Sequence, residues 1–397
     1  MGHARQYLRE MNRRLLSDMD TKDLWLENLI SRITLYENCC SQKRQDLKNV
    51  WAKVALRDYK QKRSGIRRVK STLQSLGLRR RKNKQCIRYK ENFDLLWSAR
   101  NMFQDAMSRY LFDEVLLLRA VGSDRYFIRE PLPKLLLEVT QSGQFVHADL
   151  PNHFLMEPIL KTRAKFYWQS ITTDVSLITN RGFPDTVNTY KQYFFDRDNL
   201  IIAPSVGDVV IDGGACLGDN AILFAACTGT KGAVHSFDPV PLHNKFCQLQ
   251  SELNPNLADR IQTHQYAIGK QQAIRSSPKK DSKIITPGGI SVDNFQTITL
   301  DSFANEKNLS SVDFIKLDIE GFEYDALQGA RAMIQQHKPR LAICLYHSLE
   351  DYWRLPKLIK EINPNYELYF DHHSPIGWES VCYAIDKSKK AATIPKS

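Results

Sequence analysis

Hydrophobic and polar positions divide the chain into two textures. In the first, apolar residues recur at helical spacing. Leu24, Trp25, Leu26, Leu29, Ile30, Ile33, Leu35 and Tyr36 do so within about residues 1–60. Leu95, Leu96, Met102, Phe103, Met107, Leu111, Phe112, Val115 and Leu116 do so from about Glu91 to Val121. Such periodicity predicts amphipathic helices. Pro131, Pro133, Pro151, Pro158 and Pro184 then predict irregular structure. From about Leu200 short apolar runs alternate with helical segments. The runs are 208–212, 232–238, 261–268, 312–318 and 340–346, followed by a terminal pair at 366–370 and 379–385. Strands alternating with helices predict an α/β fold, a doubly wound parallel sheet behind an α-helical N-terminal region. The expected organisation is a basic helical arm or small helical domain over 1–90, a helical or irregular region over 91–189, and a ligand-binding domain over 190–397.

Charge adds a candidate partner. The formal net charge is +12, and residues 60–90 hold Arg67-Arg68 and Arg79-Arg80-Arg81-Lys82 with no acid between Lys60 and Lys90. This stretch suits phosphates of nucleic acid or an anionic surface. A solvated linker has the same composition, and Tyr89 is the only aromatic residue offered for stacking. None of the eight cysteines forms a Cys-x-x-Cys pair, so they read as reduced core residues. No apolar stretch is long enough to span a bilayer, and the N-terminus lacks an apolar signal core. A cytoplasmic protein is the expectation.

Open α/β sheets bind ligands beyond the carboxyl ends of their strands. The first strand ends in Asp212-Gly213-Gly214-Ala-Cys-Leu-Gly218-Asp219. Glycines let backbone approach a nucleotide, but Asp212 would repel a pyrophosphate and suits the cationic end of S-adenosylmethionine. The second strand ends in Asp238, an acid placed to accept from ribose hydroxyls; a helix N-cap is the bland alternative. Tyr266 and Ala267 end the third and would wall the adenine. The fourth ends in Lys316-Leu-Asp318-Ile-Glu320-Gly-Phe-Glu323. Strand alternation would put Lys316, Asp318 and Glu320 on one face, either as a Lys–carboxylate pair or as substrate-positioning groups or an Mg²⁺ site on Asp318 and Glu320. The fifth ends in His347, a candidate general base; His372-His373 is a second.

These motifs, in this order, resemble the FkbM family of methyltransferases over about Tyr190 to Ile385. Further echoes are Thr299-Leu-Asp301, Leu327-Gln-Gly329-Ala330 and, upstream, Asp105-Ala-Met-Ser108-Arg109 with Arg119. The resemblance implies a class I, Rossmann-like S-adenosylmethionine domain over 190–397. It also implies O-methylation of a sugar, glycan or secondary-metabolite hydroxyl, with Asp212, Gly213, Gly214, Gly218 and Asp238 holding the cofactor. Asp238 stands where family members often carry Glu. On this reading His347, Asp318, Glu320 and Lys316 form the catalytic set. Competing readings are a nucleic-acid methyltransferase using residues 60–90, an NAD dehydrogenase, and a non-catalytic scaffold.

Overall fold

The structure is a computed structural model that describes residues 22–38, 84–122, 136–151, 153–154, 157–180, 191–276, 294–374 and 377–390. The basic runs at 67–82 lie outside the described residues. Two compact units divide the chain: Met1–Arg129 with Tyr369–Ser380, and Glu130–Leu368 with Val381–Ser397.

The first unit is helical. Helices α1 (Lys22–Asn38), α2 (Lys84–Glu91), α3 (Phe93–Met102) and α4 (Ala106–Val121) bury the periodic apolar positions, including Trp25, Ile33, Leu96, Phe112 and Leu116. The single helix expected over 91–121 is two. Phe103 leaves α3 in extended backbone, and Asp105 caps α4 by accepting from the Ser108 amide at 2.7 Å. An N-cap of this kind satisfies an amide that the helix leaves unpaired. The upstream echo is therefore scaffold in this structure. Arg109 donates to the Phe103 carbonyl and Arg119 to that of Gly377.

The second unit opens with a finding that the proline count concealed. Strands β1 (Leu137–Gln144), β2 (His153–Phe154), β3 (Glu157–Trp168) and β4 (Ile171–Asn180) form an antiparallel sheet where irregular structure was expected. Pro158 sits at the start of β3, where a missing amide is tolerated. The free edge of β4 is closed by side chains of the helix that follows the second core strand and of the turn after it. Asn254 accepts from the Ser176 amide (2.8 Å) and donates to its carbonyl (2.7 Å), and Gln250 does the same for Ile178 (2.9 and 2.6 Å). Phe145, Ile159, Ile178, Leu217 and Phe246 pack beneath this junction.

A short hairpin, β5 (Phe195–Arg197) and β6 (Leu200–Ile202), leads into the main sheet. Its strands are β7 (Val209–Gly213), β8 (Ala233–Phe237), β9 (Ile261–His264), then β13 (Phe314–Leu317), β14 (Arg340–Cys344), β15 (Tyr366–His372) and β16 (Ser380–Asp386). Between β9 and β13, the strands β10 (Ala267–Ile268), β11 (Ala273–Ser276) and β12 (Asn294–Ile298) form a separate small sheet. The spatial order is β15-β16-β14-β13-β7-β8-β9. β13 pairs in parallel with β7 and β14, and β16 lies antiparallel to β14. Strand order reverses between β7 and β13, which makes their carboxyl ends the switch point at which such sheets bind ligands. The last strand inserts antiparallel beside the fifth, which departs from the 3-2-1-4-5-6 dinucleotide order.

Two other expectations change. The third run splits after His264, so Tyr266 lies in a turn and Ala267 pairs with Thr297 in the small sheet. The helix expected over 324–337 breaks at Gly329, where a Cβ would lie 2.1 Å from the Gly269 carbonyl oxygen.

Candidate functional site

The loop after β7 owes its shape to backbone that only glycine adopts easily. Gly214 and Gly218 have φ of +80° and +79°. A Cβ on Gly214 would fall 1.8 Å from the Asp318 carbonyl oxygen, so the loop lies directly against the end of β13. The Gly214 and Ala215 amides both donate to the Phe237 carbonyl (2.9 and 3.0 Å).

Lys316 ties this loop down. Its ammonium lies 3.0 Å from Asp212 Oδ1 and donates to the carbonyls of Gly213 (3.0 Å) and Gly214 (2.7 Å). Both side chains are buried. Burial opposes the charge on Lys316, but Asp212 and Asp318 outweigh it and hold the ammonium above its ordinary pKa. Lys316 is thus engaged with the loop through Asp212 and two carbonyls. Asp212 meets a side-chain cation at the base of the loop. The neighbouring Asp219 carboxyl is pushed up to about 7 by burial, with Asp212 adding to it.

Asp238 is buried at the end of β8. Its Oδ2 accepts from the Cys216 amide (3.0 Å) and lies 3.0 Å from His243 Nδ1, while Oδ1 accepts from the Val240 amide (2.9 Å). The bond to Val240 is a local turn and not a helix cap: the helix Pro241–Glu252 has Val240 at its N-cap and no side-chain cap hydrogen bond.

The rim beyond β13 and β14 gathers three carboxylates around one imidazole. β13 ends at Leu317 and Glu320 takes φ +57°, so strand alternation does not reach Glu320. The turn achieves what alternation does not. His347 Nε2 lies 3.4 Å from Asp318 Oδ1 and 3.6 Å from Glu320 Oε2, and Nδ1 lies 3.0 Å from Glu323 Oε1. Asp318 accepts from Tyr346 (2.7 Å) and Tyr193 (2.8 Å), and Glu323 accepts from the Ile319 amide (2.8 Å). Burial disfavours the His347 cation, but Glu323, Asp318 and Glu320 override it and push its pKa up to about 9. This direction favours the protonated imidazole and weighs against the role of base expected from sequence. Burial would raise Asp318, yet His347, Lys316 and the two tyrosines hold it below the usual carboxylate range. Burial, with Asp318 and Glu323 nearby, pushes Glu320 up to about 7 against the pull of His347.

Sequence reasoning placed Asp318, Glu320 and His347 together. It did not single out Glu323 or Tyr346, which lie inside the motifs it quoted. Tyr193 it missed. That residue reaches Asp318 only because its backbone takes φ +67° in the segment before β5, and nothing local in the sequence marks it. His372 belongs to the helical unit, where it hydrogen-bonds Ser380 (2.9 Å).

The segment that carries the loop and the rim, residues 212–372, matches the methyltransferase FkbM domain. Residues 212–372 form an FkbM methyltransferase domain. Methyltransferase FkbM from Methylobacillus flagellatus KT is 19% identical with a TM-score of 0.50. The alignment covers 79% of this chain and 65% of that one, so this chain spans somewhat less than two thirds of that relative. The shared fold is that of class I methyltransferases. Fibrillarin from Aeropyrum pernix, solved with natively bound S-adenosyl-L-methionine, is 11% identical over 63% of this chain and 100% of its own, with a TM-score of 0.33. An O-methyltransferase from Bacillus cereus in complex with SAH is 15% identical over 45% and 73%, with a TM-score of 0.29. These two are too distant to add to the argument. No curated protein matches the chain. No helix among the described residues is long and apolar enough to cross a membrane.

Proposed function

We propose that this chain transfers a methyl group from S-adenosylmethionine to a hydroxyl of a sugar, glycan or secondary metabolite. The observation that carries the reading is the FkbM domain match, which begins at Asp212 and so takes in the whole loop and rim. The loop supports the reading: Gly214 and Gly218 let the backbone turn tightly against Asp318 and Cys247, and Asp238 ends β8 where an acid can accept from a ribose. Asp212, Gly213, Gly214, Gly218 and Asp238 would hold the donor, with Tyr266 and Ala267 beside the adenine. When bound, S-adenosylmethionine supplies a methyl group on sulfur, so that the acceptor gains its C–O bond as the S–C bond breaks and S-adenosylhomocysteine is left.

The chain's own residues supply alignment and charge. Alignment of reacting groups can contribute about 7–11 kcal/mol. Glu320 is the base in this reading, because its side chain is 37% exposed while those of Asp318 and Glu323 are 21% and 0%. It is the carboxylate that an acceptor hydroxyl reaches. His347 stands 3.6 Å from Glu320, and Asp318 and its tyrosines orient the acceptor. An Mg²⁺ ion on Asp318 and Glu320 has weaker support, since an imidazole is turned toward both.

The test is calorimetric titration with S-adenosylmethionine and, separately, NAD, using wild type and Gly214→Ala. The expected result is saturable binding of the methyl donor alone, weakened at least roughly tenfold in the variant by backbone strain and the collision with Asp318. A folded wild-type protein that binds NAD, or neither ligand, overturns the reading.

A further inference from the structure

The His347 ring is more completely enclosed than its charge balance explains. Its side chain is 8% exposed, and neither ring nitrogen completes a hydrogen bond of acceptable geometry. The Nε2 distances to Asp318 and Glu320, 3.4 and 3.6 Å, exceed the 2.7–3.2 Å of a protein hydrogen bond. The 3.4 Å between Nε2 and Asp318 Oδ1 is close to the spacing between ligands of one metal ion, about 3.0–3.5 Å for bonds of about 2.0–2.2 Å. One donor atom from each of Asp318, Glu323 and His347 lies within 4.8 Å of the other two. Asp318 faces Nε2 and Glu323 faces Nδ1, so closing the set on one ion takes a turn of the imidazole ring.

Charge points the same way. Three carboxylates face one imidazole, and the nearest other cation, Lys316, is paired with Asp212. A dication offsets the remaining negative charge without a second side-chain cation. The outer contacts are also those of a metal site. Tyr193 and Tyr346 fix both oxygens of Asp318, and the Ile319 amide fixes one oxygen of Glu323, leaving Oε2 buried without a hydrogen bond. Such second contacts orient metal ligands.

We propose that Asp318, Glu323 and His347 bind a divalent transition-metal ion. A nitrogen ligand beside two carboxylates favours manganese, iron, cobalt or zinc over magnesium, which prefers oxygen and retained water. Glu320, the exposed carboxylate, stays free to meet an acceptor. The site is argued from its own geometry. Its use in activating an acceptor hydroxyl rests on the methyl-transfer reading.

Cobalt titration of untagged, chelator-stripped full-length protein tests the proposal, with Co²⁺ as both ligand and chromophore. One equivalent is expected to bind with a visible d–d band that Zn²⁺ abolishes and millimolar Mg²⁺ does not. His347→Ala and Asp318→Asn, shown folded by circular dichroism, are expected to weaken binding roughly 100-fold. His372→Gln, in the helical unit, is expected to leave it unchanged. Absence of the band in folded wild type overturns the site, as does equal cobalt affinity in His347→Ala. S-adenosylmethionine is titrated into the same stripped sample. Donor binding without cobalt binding removes the metal and leaves the methyl-transfer reading; cobalt binding without donor binding does the reverse.

Discussion

The helical unit and the rim beyond β13 and β14 both bury charge, and they do so differently. In the helical unit two buried carboxylates, Asp113 and Glu114, each face an arginine. Arg100 donates to both oxygens of Asp113 (2.9 and 3.1 Å), the Trp25 indole donates to Asp113 (2.7 Å), and Arg32 lies 2.6 Å from Glu114. Burial pushes the carboxyls of Asp113 and Glu114 up, against the pull of their arginines. At the rim three carboxylates surround one imidazole at distances mostly too long for hydrogen bonds. A one-to-one buried pair specifies packing. An unbalanced cluster at the switch point of an α/β sheet is costly to keep unless something enters it. The two regions should therefore fail in different ways when altered.

The largest expected effect is on rate. Glu320→Gln keeps size and exposure but removes the proton acceptor. We expect kcat for methyl transfer to fall by about 10²–10⁴, with donor affinity unchanged and the unfolding midpoint altered by less than about 0.5 kcal/mol equivalent. If kcat stays within threefold of wild type, the base lies elsewhere and the rim's excess charge has another use.

Asp113→Ala inverts that pattern. It leaves Arg100 buried without its carboxylate, and losing one partner of a buried pair costs about 3–5 kcal/mol. The loss is read from the denaturant midpoint of the helical unit, with donor binding retained in the folded fraction. A loss of stability below about 1 kcal/mol would show that water reaches Arg100 and that this pair differs less from the rim than its geometry implies.

Much of this contrast was legible in the sequence, and its limits have physical causes. The core strands were readable because β7, β13 and β14 are buried on both faces and so appear as continuous apolar runs. The glycine loop, Asp318, Glu320 and His347 were readable because strand ends are where α/β sheets place ligands. The β1–β4 sheet was not. β1 is exposed along nearly its whole length and offers no apolar alternation, and the edge of β4 is closed by amide side chains more than seventy residues away. Lys316 stayed open between two readings because a charge at a strand end has the same signature whether it faces substrate or, as here, a carboxylate and two carbonyls one strand over.

A third kind of buried group lies between the two regions in behaviour. His235 and His264 touch across β8 and β9, Nδ1 to Nε2 at 3.2 Å, with Phe303 and Phe237 against the rings. Burial lowers both to about 4; Lys307 adds to each, and His235 adds to His264. The unfolded chain then binds protons below pH about 6.5 that the folded one refuses. Stability is full above that pH and is lost as pH falls toward 4. For His235 the loss approaches about 3 kcal/mol. A thermal-unfolding series from pH 7 to 4 should show the decline, and His235→Leu with His264→Phe should flatten it. An equal slope in wild type and variant would assign the acid sensitivity to carboxylates instead.

The smallest effect expected is at the side-chain clamp on β4, where the groups are polar, uncharged and satisfied. Asn254→Ala removes an acceptor for the Ser176 amide and a donor to its carbonyl. Ser176 is only half-buried, so water can replace part of what is lost, and about 1–2 kcal/mol is expected. Gln250 still holds Ile178 in the single variant. The double variant Asn254→Ala, Gln250→Ala should therefore cost more than the sum of the singles, and hydrogen exchange should rise at Ser176 and Ile178 while β7 and β13 stay protected. Additive losses with no local exchange would mean that the hydrophobic packing of Ile178 against Phe246 and Leu217 holds β4 by itself, and that the amides only fill an edge already fixed.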